Sequence, residues 1–175
     1  MVSAEFPPAI GGVGDHTARL AVELARAGHE LEVVTSEAPS RPNLAGVEVL
    51  RVVRRWDSRI WWQLPRLAHH RQWDVLHIQY QPAAYGLRGA INFLPWLIFG
   101  QRPAVVTTFH DLRFPYLFPK AGPLRTAAVA ALARGSDAAI AVADEDLPQL
   151  LRWRSGRPED ATRHVPLGDQ LRLFL

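Results

Sequence analysis

The sequence predicts an α/β domain with a doubly wound, mainly parallel sheet and helices on both faces. Short β-rich segments alternate with amphipathic helical segments along the chain. A glycine-rich turn stands between the first extended segment and the first helical one. The hydrophobic share of 48% is sufficient for a buried core. Because parallel strands need crossover connections of fixed hand, this alternation favours helices on both sides of the sheet.

The first half of the chain contains three predicted strands and two predicted helices. Residues 2–3 form a very short strand, and apolar residues recur at helical spacing from Thr17 to Ala25, with Gly28 at the C-cap position. The β-branched runs 31–35 and 47–53 predict strands on either side of a proline-containing polar loop. Periodicity then predicts a helix over 60–72, with Pro65 at a kink or in the first turn.

The second half continues the same alternation. Apolar runs at 74–80 and 104–109 predict two strands, and a helix interrupted near Pro95 is predicted between them. The alanine-rich segment 123–134 predicts a helix that Gly135 stops. The remaining predicted elements are a strand at 138–143, a short helix at 144–154 that Asp144 can cap, and a last strand at 163–166. This order is that of a Rossmann-like domain.

Composition excludes several classes of protein. The 175 residues fit one domain and include no cysteine, which excludes disulfide scaffolds, cysteine-bound zinc and thiol nucleophiles. The net charge is +3 and the arginines are spread along the chain, so no nucleic-acid partner is expected. Met1 is not followed by a signal peptide, and the apolar run 90–100 is shorter than the ~20 residues that span a bilayer. A cytoplasmic location is therefore expected.

The glycine-rich turn is the first candidate site. It consists of Gly11, Gly12, Val13 and Gly14, and the residues after it open a helix. Glycines allow a ligand to approach the backbone closely, and the first amides of a helix are unpaired and partly positive. A phosphate or another anion is therefore expected to bind here. His16, on the first helical turn, can reach the same ligand.

The second group of candidates lies where strands end, since ligands of parallel sheets bind at the carboxyl edge. His110 follows the strand 104–109 and faces the crevice, where an imidazole can transfer a proton or bind a sugar hydroxyl or a phosphate. Asp111 is a candidate to orient it. Tyr80 ends the strand 74–80 and Gln81 follows it, and both are expected to line the same crevice. His77, inside that strand, is interpreted as a buried histidine with its hydrogen bonds satisfied.

Other interpretations of these motifs remain open. Gly12 and Gly14 give the first two glycines of a dinucleotide-binding fingerprint, with Glu37 as a ribose ligand, but Thr17 occupies the place of the third glycine. The turn could also be structural, without a ligand. No metal site is predicted, because the neighbouring histidines at 69–70 of a helix cannot both reach one ion.

The stretch from Arg54 to Trp73 combines arginines with four tryptophans. Such a surface suits a bilayer interface carrying anionic lipid, or a partner helix. The alternative is that the tryptophans pack a helix against the sheet.

Taken together, these segments resemble the N-terminal domain of the GT-B glycosyltransferases of family 4. The resemblance covers nearly the whole chain and depends on the order and spacing of its motifs. The matching pieces are Phe6-Pro7-Pro8 with Gly11-Gly12-Val13-Gly14, Leu20-Ala21 through Gly28-His29-Glu30 into Val33-Val34-Thr35, Asp74 through Tyr80, Val106 through Asp111, and Val165-Pro166-Leu167-Gly168.

The resemblance implies a retaining sugar transfer, with no essential metal or cofactor, in a cleft between two Rossmann-like domains. The glycine turn would lie against the donor diphosphate and the acceptor, and His110 would contact the transferred sugar. The expected partners are a nucleotide sugar and a sugar or lipid-linked acceptor, with peripheral contact at the inner face of the membrane.

In this interpretation residues 1–168 form the acceptor-side domain and 169–175 begin a linker to an absent C-terminal domain, so the chain is expected to be inactive alone. The alternatives are a non-catalytic module that binds a sugar or phosphate, and an NAD-dependent oxidoreductase domain.

Overall fold

The computed structural model describes residues 1–39, 43–100, 102–112 and 122–166. Within these ranges every pairing between named strands is parallel. The strands are β1 (Leu31–Ser36), β2 (Val47–Val53), β3 (Val75–Tyr80), β4 (Ala104–Phe109), β5 (Ala138–Ala141) and β6 (Thr162–His164). They form a pair, β1-β2, and a set of four in the order β3-β4-β5-β6.

The Val2 segment joins these two sets of strands. Val2 makes parallel bridges to Val34 of β1 and to Ile78 of β3. Its amide donates to the His77 carbonyl at 2.8 Å, and the amide of Gln79 donates to the Val2 carbonyl at 2.9 Å. The predicted first strand is thus reduced to a single bridging residue at the centre of the sheet. Strand order reverses at this point, where doubly wound sheets place their ligands.

Helices cover both faces of the sheet. They are α1 (Gly12–Arg26), α2 (Ile60–Arg71), α3 (Gly122–Gly135) and α4 (Leu147–Trp153), with a 3₁₀ helix at Ala90–Leu97 and short 3₁₀ turns at Asp144–Asp146 and Glu159–Ala161. None of the helices in the described ranges is both long and apolar enough to cross a membrane. The predicted fold class, α/β and Rossmann-like, is confirmed.

Two apolar clusters show how each face is filled. Successive side chains of a strand point to opposite faces. Accordingly, Val33 packs in a small cluster with Ala18 and Ala21 of α1, whereas its neighbour Val34 belongs to the large cluster beneath the other helices. The alternation matters most in β3, where Leu76, Ile78 and Tyr80 enter the large cluster. The intervening residues of β3 therefore face the side of α1.

Three local differences from the sequence prediction have physical causes. Helix α1 begins at Gly12, so the glycines form its first turn instead of preceding it. The segment around Pro95 is a 3₁₀ helix over Ala90–Leu97, and the absence of an N–H on Pro95 removes one bond that would extend it as an α-helix. Asp144 begins a 3₁₀ turn and lies near His164, whereas Asp146 stands at the N-cap of α4 without capping it by its side chain.

The buried Arg154 fastens the far end of the sheet. Its guanidinium donates to the Thr162 hydroxyl at 2.8 Å. It also donates to four backbone carbonyls, those of Ala133, Ser136, Asp137 and Ala161. One side chain thus connects the end of α3, the start of β5 and the start of β6. The predicted domain boundary and linker at 168–175 lie outside the described residues.

Candidate functional site

The N-terminus of α1 and the carboxyl ends of β3 and β4 meet at one edge of the sheet. The contact is direct, because the rings of His16 and His110 lie edge to face with centroids 5.1 Å apart. His16 is on α1 and His110 follows β4. The structure therefore brings together the glycine turn and the histidine that the sequence placed at one crevice.

The first turn of α1 presents backbone groups to this edge. The earliest helical bond runs from the Asp15 amide to the Gly11 carbonyl at 3.0 Å, so the amides of Gly12, Val13 and Gly14 precede it. Gly12 is exposed, and a Cβ built there would meet nothing within 4 Å. The Val13 side chain is buried, so this residue can offer a ligand only its backbone. Gly12 is the position where a ligand can approach the helix most closely.

Gly14 has a different role in the same turn. A Cβ at this position would lie 3.1 Å from backbone atoms of Glu5 and Phe6. Contacts to backbone at this distance are tighter than side chains normally make, and the backbone has little freedom to withdraw. At Gly11, a Cβ would instead meet the carboxylate of Glu5, which can rotate away. Gly14 thus lets α1 pack against the segment after Val2.

A chain of polar side chains on β3 and β4 supports His110. The His110 Nε2–H donates to Gln79 Oε1 at 2.7 Å. The amide group of Gln79 donates in turn to His77 Nε2 at 3.1 Å. His77 Nε2 is also 2.8 Å from the Thr108 hydroxyl. These three supporting residues are buried on the α1 side of the sheet, and the prediction of a buried, satisfied His77 is confirmed.

Burial lowers the pKa of His77 and of His110, the two histidines in this series of hydrogen bonds. It lowers the pKa of His110 to about 3, with a smaller contribution from the positive charge of His16 when that ring is protonated. Burial also lowers the pKa of His77 to about 3, helped by the amino terminus and the two other histidines. Both rings are therefore neutral at pH 7. Because the carbonyl oxygen of Gln79 can only accept, the proton of His110 resides on Nε2 and its lone pair on Nδ1.

The other predicted site residues occupy different positions. Tyr80 is the last residue of β3, and its ring is buried in the large cluster on the opposite face from Gln79, because side chains alternate along a strand. The side-chain amide of Asn92 donates to the Tyr80 hydroxyl at 3.0 Å. The part of Tyr80 that reaches the site is its backbone carbonyl, which accepts from the His110 backbone amide at 2.9 Å. Gln81 directly follows β3 and Asp111 is two residues beyond the end of β4, and both are partly buried. The structure thus separates the Tyr80 ring from the histidine pair.

Two residues at this edge were missed by the sequence interpretation. Gln79 lies inside a predicted strand, and its role depends on which face of the sheet it occupies. The buried Asp146 accepts a hydrogen bond from the Leu112 amide at 3.2 Å and so ties down the backbone after His110. A polar residue alternating with Leu76, Ile78 and Tyr80 is the signal that could have identified Gln79.

Most of the tryptophans between Arg54 and Trp73 pack against the rest of the domain. Trp56 is buried and donates to the Ser36 hydroxyl, Trp61 donates to the Ala90 carbonyl, and Trp73 donates to the Glu32 carboxylate. Trp62 is the exception, at 67% exposed. Three of the four indoles therefore pack α2 and the segments beside it, which was the alternative to a membrane-facing or partner-facing surface.

Two features bear on the remaining alternatives. Glu37, the predicted ribose ligand of a dinucleotide site, lies 3.5 Å from the Arg54 guanidinium. Among the residues that the structure describes, no group of three histidine, aspartate or glutamate side chains that could hold a metal ion comes together.

Comparisons with known proteins agree with this architecture. Residues 10–168 match Glycosyltransferase Family 4. A solved structure of sucrose-phosphate synthase from Thermosynechococcus elongatus superposes with a TM-score of 0.60 at 15% identity, covering 99% of this chain and 94% of that one. No curated protein sequence matches the chain. The family match over most of the chain, together with the parallel sheet, shows that this protein belongs to Glycosyltransferase Family 4 and carries the N-terminal domain of a GT-B fold.

Proposed function

We propose that this chain forms the acceptor-side wall of a site that transfers a sugar from a nucleotide sugar to an acceptor hydroxyl. The observation that carries the proposal is the contact between His16 of α1 and His110 after β4. This contact places the N-terminal amides of α1 beside the His110 imidazole, at the edge where parallel sheets bind ligands. Membership of the family supports the reaction class.

The glycine turn is assigned to the donor. In the transfer, a bond forms between the acceptor oxygen and the anomeric carbon, and the bond from that carbon to the diphosphate breaks. The electron pair leaves with the diphosphate, and the acceptor proton passes to one of its oxygens. The amides of Gly12, Val13 and Gly14 stand at a helix N-terminus, where they stabilise such negative charge.

His110 is assigned to orientation of the sugar. A neutral ring with its proton directed to Gln79 offers a lone pair on Nδ1 to a sugar hydroxyl. Such a hydrogen bond holds the anomeric carbon close to the acceptor oxygen, on the face from which the diphosphate departs, and positioning of this kind accelerates a bimolecular step. Retention of configuration is part of the proposal and follows the resemblance to the family.

The proposal includes a second domain that binds the nucleotide. The cleft of the GT-B plan has two walls, and the residues assigned above belong to the wall that contacts the diphosphate and the transferred sugar. We therefore expect the chain alone to transfer little sugar. A sugar or lipid-linked molecule is the expected acceptor.

A transfer assay tests the proposal. The chain is incubated with a panel of nucleotide sugars and acceptors, alone and fused to the C-terminal domain of a family member, and nucleotide diphosphate release is measured. We expect turnover in the fusion and a loss on the order of 100-fold in His110→Ala, because the sugar is no longer held in position. His69→Ala, an exposed histidine of α2, is the matched control and should keep full activity.

Three results would contradict the proposal. An unchanged rate in His110→Ala would remove this residue from the mechanism. Rapid turnover by the chain alone would remove the second domain. Saturable sugar binding without any reaction in the fusion would instead indicate a non-catalytic sugar-binding module.

A further inference from the structure

A small hollow lies at the carboxyl end of β3, on the face of the sheet opposite Gln79. It is bordered by the end of β3, the turn that follows, the 3₁₀ helix Ala90–Leu97 and α3, and its polar lining residues are Tyr80, Arg88, Asn92 and Arg125. It offers about 40 Å³ to the centres of water-sized groups, where a single water requires about 10–15 Å³. The hollow therefore suits a group of a few heavy atoms, not a whole sugar ring. We call it the Tyr80 hollow.

The Tyr80 hydroxyl is a buried donor at this hollow, since Tyr80 and Asn92 are only 3% and 2% exposed. The side-chain amide of Asn92 donates to the Tyr80 oxygen at 3.0 Å, so the Tyr80 proton points elsewhere. Within the described part of the chain, no acceptor receives that proton. Burial raises the pKa of this phenol to about 12, so the proton stays in place at pH 7. Because buried hydroxyls normally find an acceptor, an oxygen of a ligand in the hollow would complete this bond.

Two arginines border the hollow from different elements. Arg88 directly follows the turn of residues 82–87, and Arg125 is on α3. Arg125 lies three and four residues before Ala128 and Val129, which also line the hollow, so its side chain is on the helix face that is turned toward it. A guanidinium presents N–H donors in a planar fork that fits the oxygens of a phosphate or a carboxylate. The hollow thus combines a buried hydroxyl donor with two cations.

The walls of the hollow are fixed before any ligand binds. The Trp96 indole N–H donates to the Ala131 carbonyl at 2.8 Å and so holds the 3₁₀ helix against α3. The Tyr85 hydroxyl donates to the Gln79 carbonyl at 3.0 Å and so holds the turn against β3. Leu87, with a φ of 58°, adopts the left-handed conformation that residues other than glycine seldom occupy. The backbone that carries the arginine of this turn is therefore preformed, which lowers the entropy lost on binding.

The sequence around the hollow is nearly free of acids. Between Asp74 and Asp137 the single acidic residue is Asp111. Asp74 and Asp137 themselves precede β3 and β5, and so lie at the opposite edge of the parallel sheet. With few acids to offset them, the two arginines give the hollow a positive potential. An anionic group is therefore the ligand whose charge the hollow complements.

A second group of arginines provides a contrast. A hollow beside the end of β2 is lined by Arg54, Arg55 and Arg59. There Glu37 lies 3.5 Å from the Arg54 guanidinium, and the Asp57 carboxylate accepts from the Arg59 amide at 3.1 Å. All three arginines are exposed, whereas the Tyr80 hollow has a buried donor among its lining residues. The Tyr80 hollow is therefore the better site for an anion.

We propose that the Tyr80 hollow binds an oxyanion, either a phosphate ester or a carboxylate, that is carried by the acceptor sugar. This inference rests on the proposed function, since it assigns the acceptor its chemical class. The Tyr80 carbonyl accepts from the His110 amide at 2.9 Å, so the hollow and His110 are at the same edge of the sheet. Oxygens of the bound group accept from the Tyr80 hydroxyl and from both guanidiniums, while the sugar extends from the mouth of the hollow toward His110. A neutral sugar lacks the group that fills the hollow.

A binding experiment on the 175-residue chain, without nucleotide sugar, tests the site. The chain is labelled with ¹⁵N and titrated at matched ionic strength with inorganic phosphate, with acetate and with glucose. We expect the side-chain amide resonances of Asn92 to shift and saturate with phosphate or acetate, and added sodium chloride to weaken this binding. Glucose at the same concentrations should leave them in place. The comparison of phosphate with acetate distinguishes the two kinds of oxyanion.

Substitutions separate the hollow from a general effect of positive charge. Arg88→Gln and Arg125→Gln should each weaken binding of the anion by about tenfold, and Tyr80→Phe by about fivefold, since each removes a donor. Arg152→Gln, an exposed arginine of α4, is the matched control and should bind like the parent chain. Arg59→Gln tests the arginines beside β2 and should also leave binding unchanged. Circular dichroism establishes that each variant is folded.

The fusion enzyme tests whether the oxyanion belongs to the acceptor. It is assayed with neutral sugars, with their phosphates and with the corresponding uronic acids as acceptors. We expect kcat/KM to be about tenfold or more higher for an anionic class than for the neutral sugars. Arg88→Gln/Arg125→Gln should remove this preference through a raised acceptor KM, with kcat little changed.

Three results would overturn the inference. The first is the absence of saturable binding of either anion, and the second is a larger loss of binding in Arg59→Gln than in Arg125→Gln. The third is an active fusion with equal kcat/KM for neutral and anionic acceptors, which would leave the proposed function intact. Anion binding that requires Arg88 and Arg125, in a fusion that transfers no sugar, would instead contradict the proposed function and support the oxyanion site.

Discussion

The side-chain Oε1 of Gln79 lies 2.7 Å from Nε2 of His110, so a residue near the end of β3 holds the ring that follows β4. Gln79 is on β3, where it pairs in register with Thr108 of the neighbouring β4, and His110 directly follows β4. Gln79 acts through His110 and is therefore a positioning residue. It holds the imidazole in one tautomer and one orientation.

Replacing Gln79 should disturb His110 before it disturbs the fold. In Gln79→Leu, the Nε2–H of His110 loses its acceptor, and we expect a loss of stability of about 1–3 kcal/mol and a mixture of His110 tautomers. Imidazole nitrogen shifts measured by NMR report the tautomer. In Gln79→Glu, a carboxylate restores the acceptor and should raise the pKa of His110. A single unchanged tautomer in Gln79→Leu would show that Gln79 does not position the ring.

The glycines of the first turn should separate into binding and packing roles. Gly12→Ala adds a methyl group to open space, so stability should stay equal or rise by about 0.5–1 kcal/mol, while the activity of the fusion enzyme should fall. Gly14→Ala should destabilise the fold by about 1–3 kcal/mol, because its Cβ meets the backbone of Glu5 and Phe6. Thermal unfolding and initial rates measure the two effects. Equal stability losses in both variants would refute this division.

Stability should decrease as the pH falls below about 6.5. The pKa values of His77 and His110 are lowered by burial to about 3, from an ordinary value of 6.5. Between these values the unfolded chain binds protons that the folded chain does not, so acid favours unfolding. The largest slope is about 1.4 kcal/mol per pH unit for each histidine.

Denaturant unfolding between pH 6.5 and 5 measures this slope before most carboxylates titrate. His77→Gln removes one of the two groups and should make the slope shallower. His70→Gln, an exposed residue of α2, is the control and should leave it unchanged. A parent chain whose stability is flat over this range would contradict the buried, neutral state of both rings.

Arg154 should be important for stability in spite of its distance in sequence from the site. Arg154→Met leaves several carbonyls at the ends of α3 and the 3₁₀ turn without their donor, and we expect a loss of about 3 kcal/mol. Arg152→Met changes an exposed arginine of α4, the helix that Arg154 directly follows, and should alter stability by less than about 0.5 kcal/mol. Urea unfolding of the pair compares them. Similar midpoints would show that the buried network contributes little.

The sequence predicted the order of elements and much of the site, for identifiable reasons. The strand 104–109 was located to the residue, because its β-branched run is bounded by a proline and a histidine. The start of α1 was placed too late, because glycine has low helix propensity and close packing of Gly14 overrides it. The start of a helix can thus depend on contacts with residues elsewhere in the fold, and the local sequence does not show those contacts.

The same limit applies to the functional side chains. His110 could be predicted because the residue after a parallel strand lies at the carboxyl edge wherever the sheet is placed. Asp146 could not, since its role depends on the backbone at Leu112. For Gln79 the sequence offers only its alternation with apolar neighbours, and its partner lies beyond the neighbouring strand. The Tyr80 ring was assigned to the crevice from its position at the strand end, but strand alternation directs it to the core.

An NMR titration tests the central claim most directly. The chain, labelled with ¹⁵N in its histidines, is titrated with UDP-glucose and with GDP-mannose at millimolar concentrations. The account predicts that the imidazole resonances of His16 and His110 shift together and saturate with one dissociation constant, while those of the exposed His69 and His70 stay in place. Saturable binding of either nucleotide sugar that leaves both His16 and His110 unmoved would contradict it.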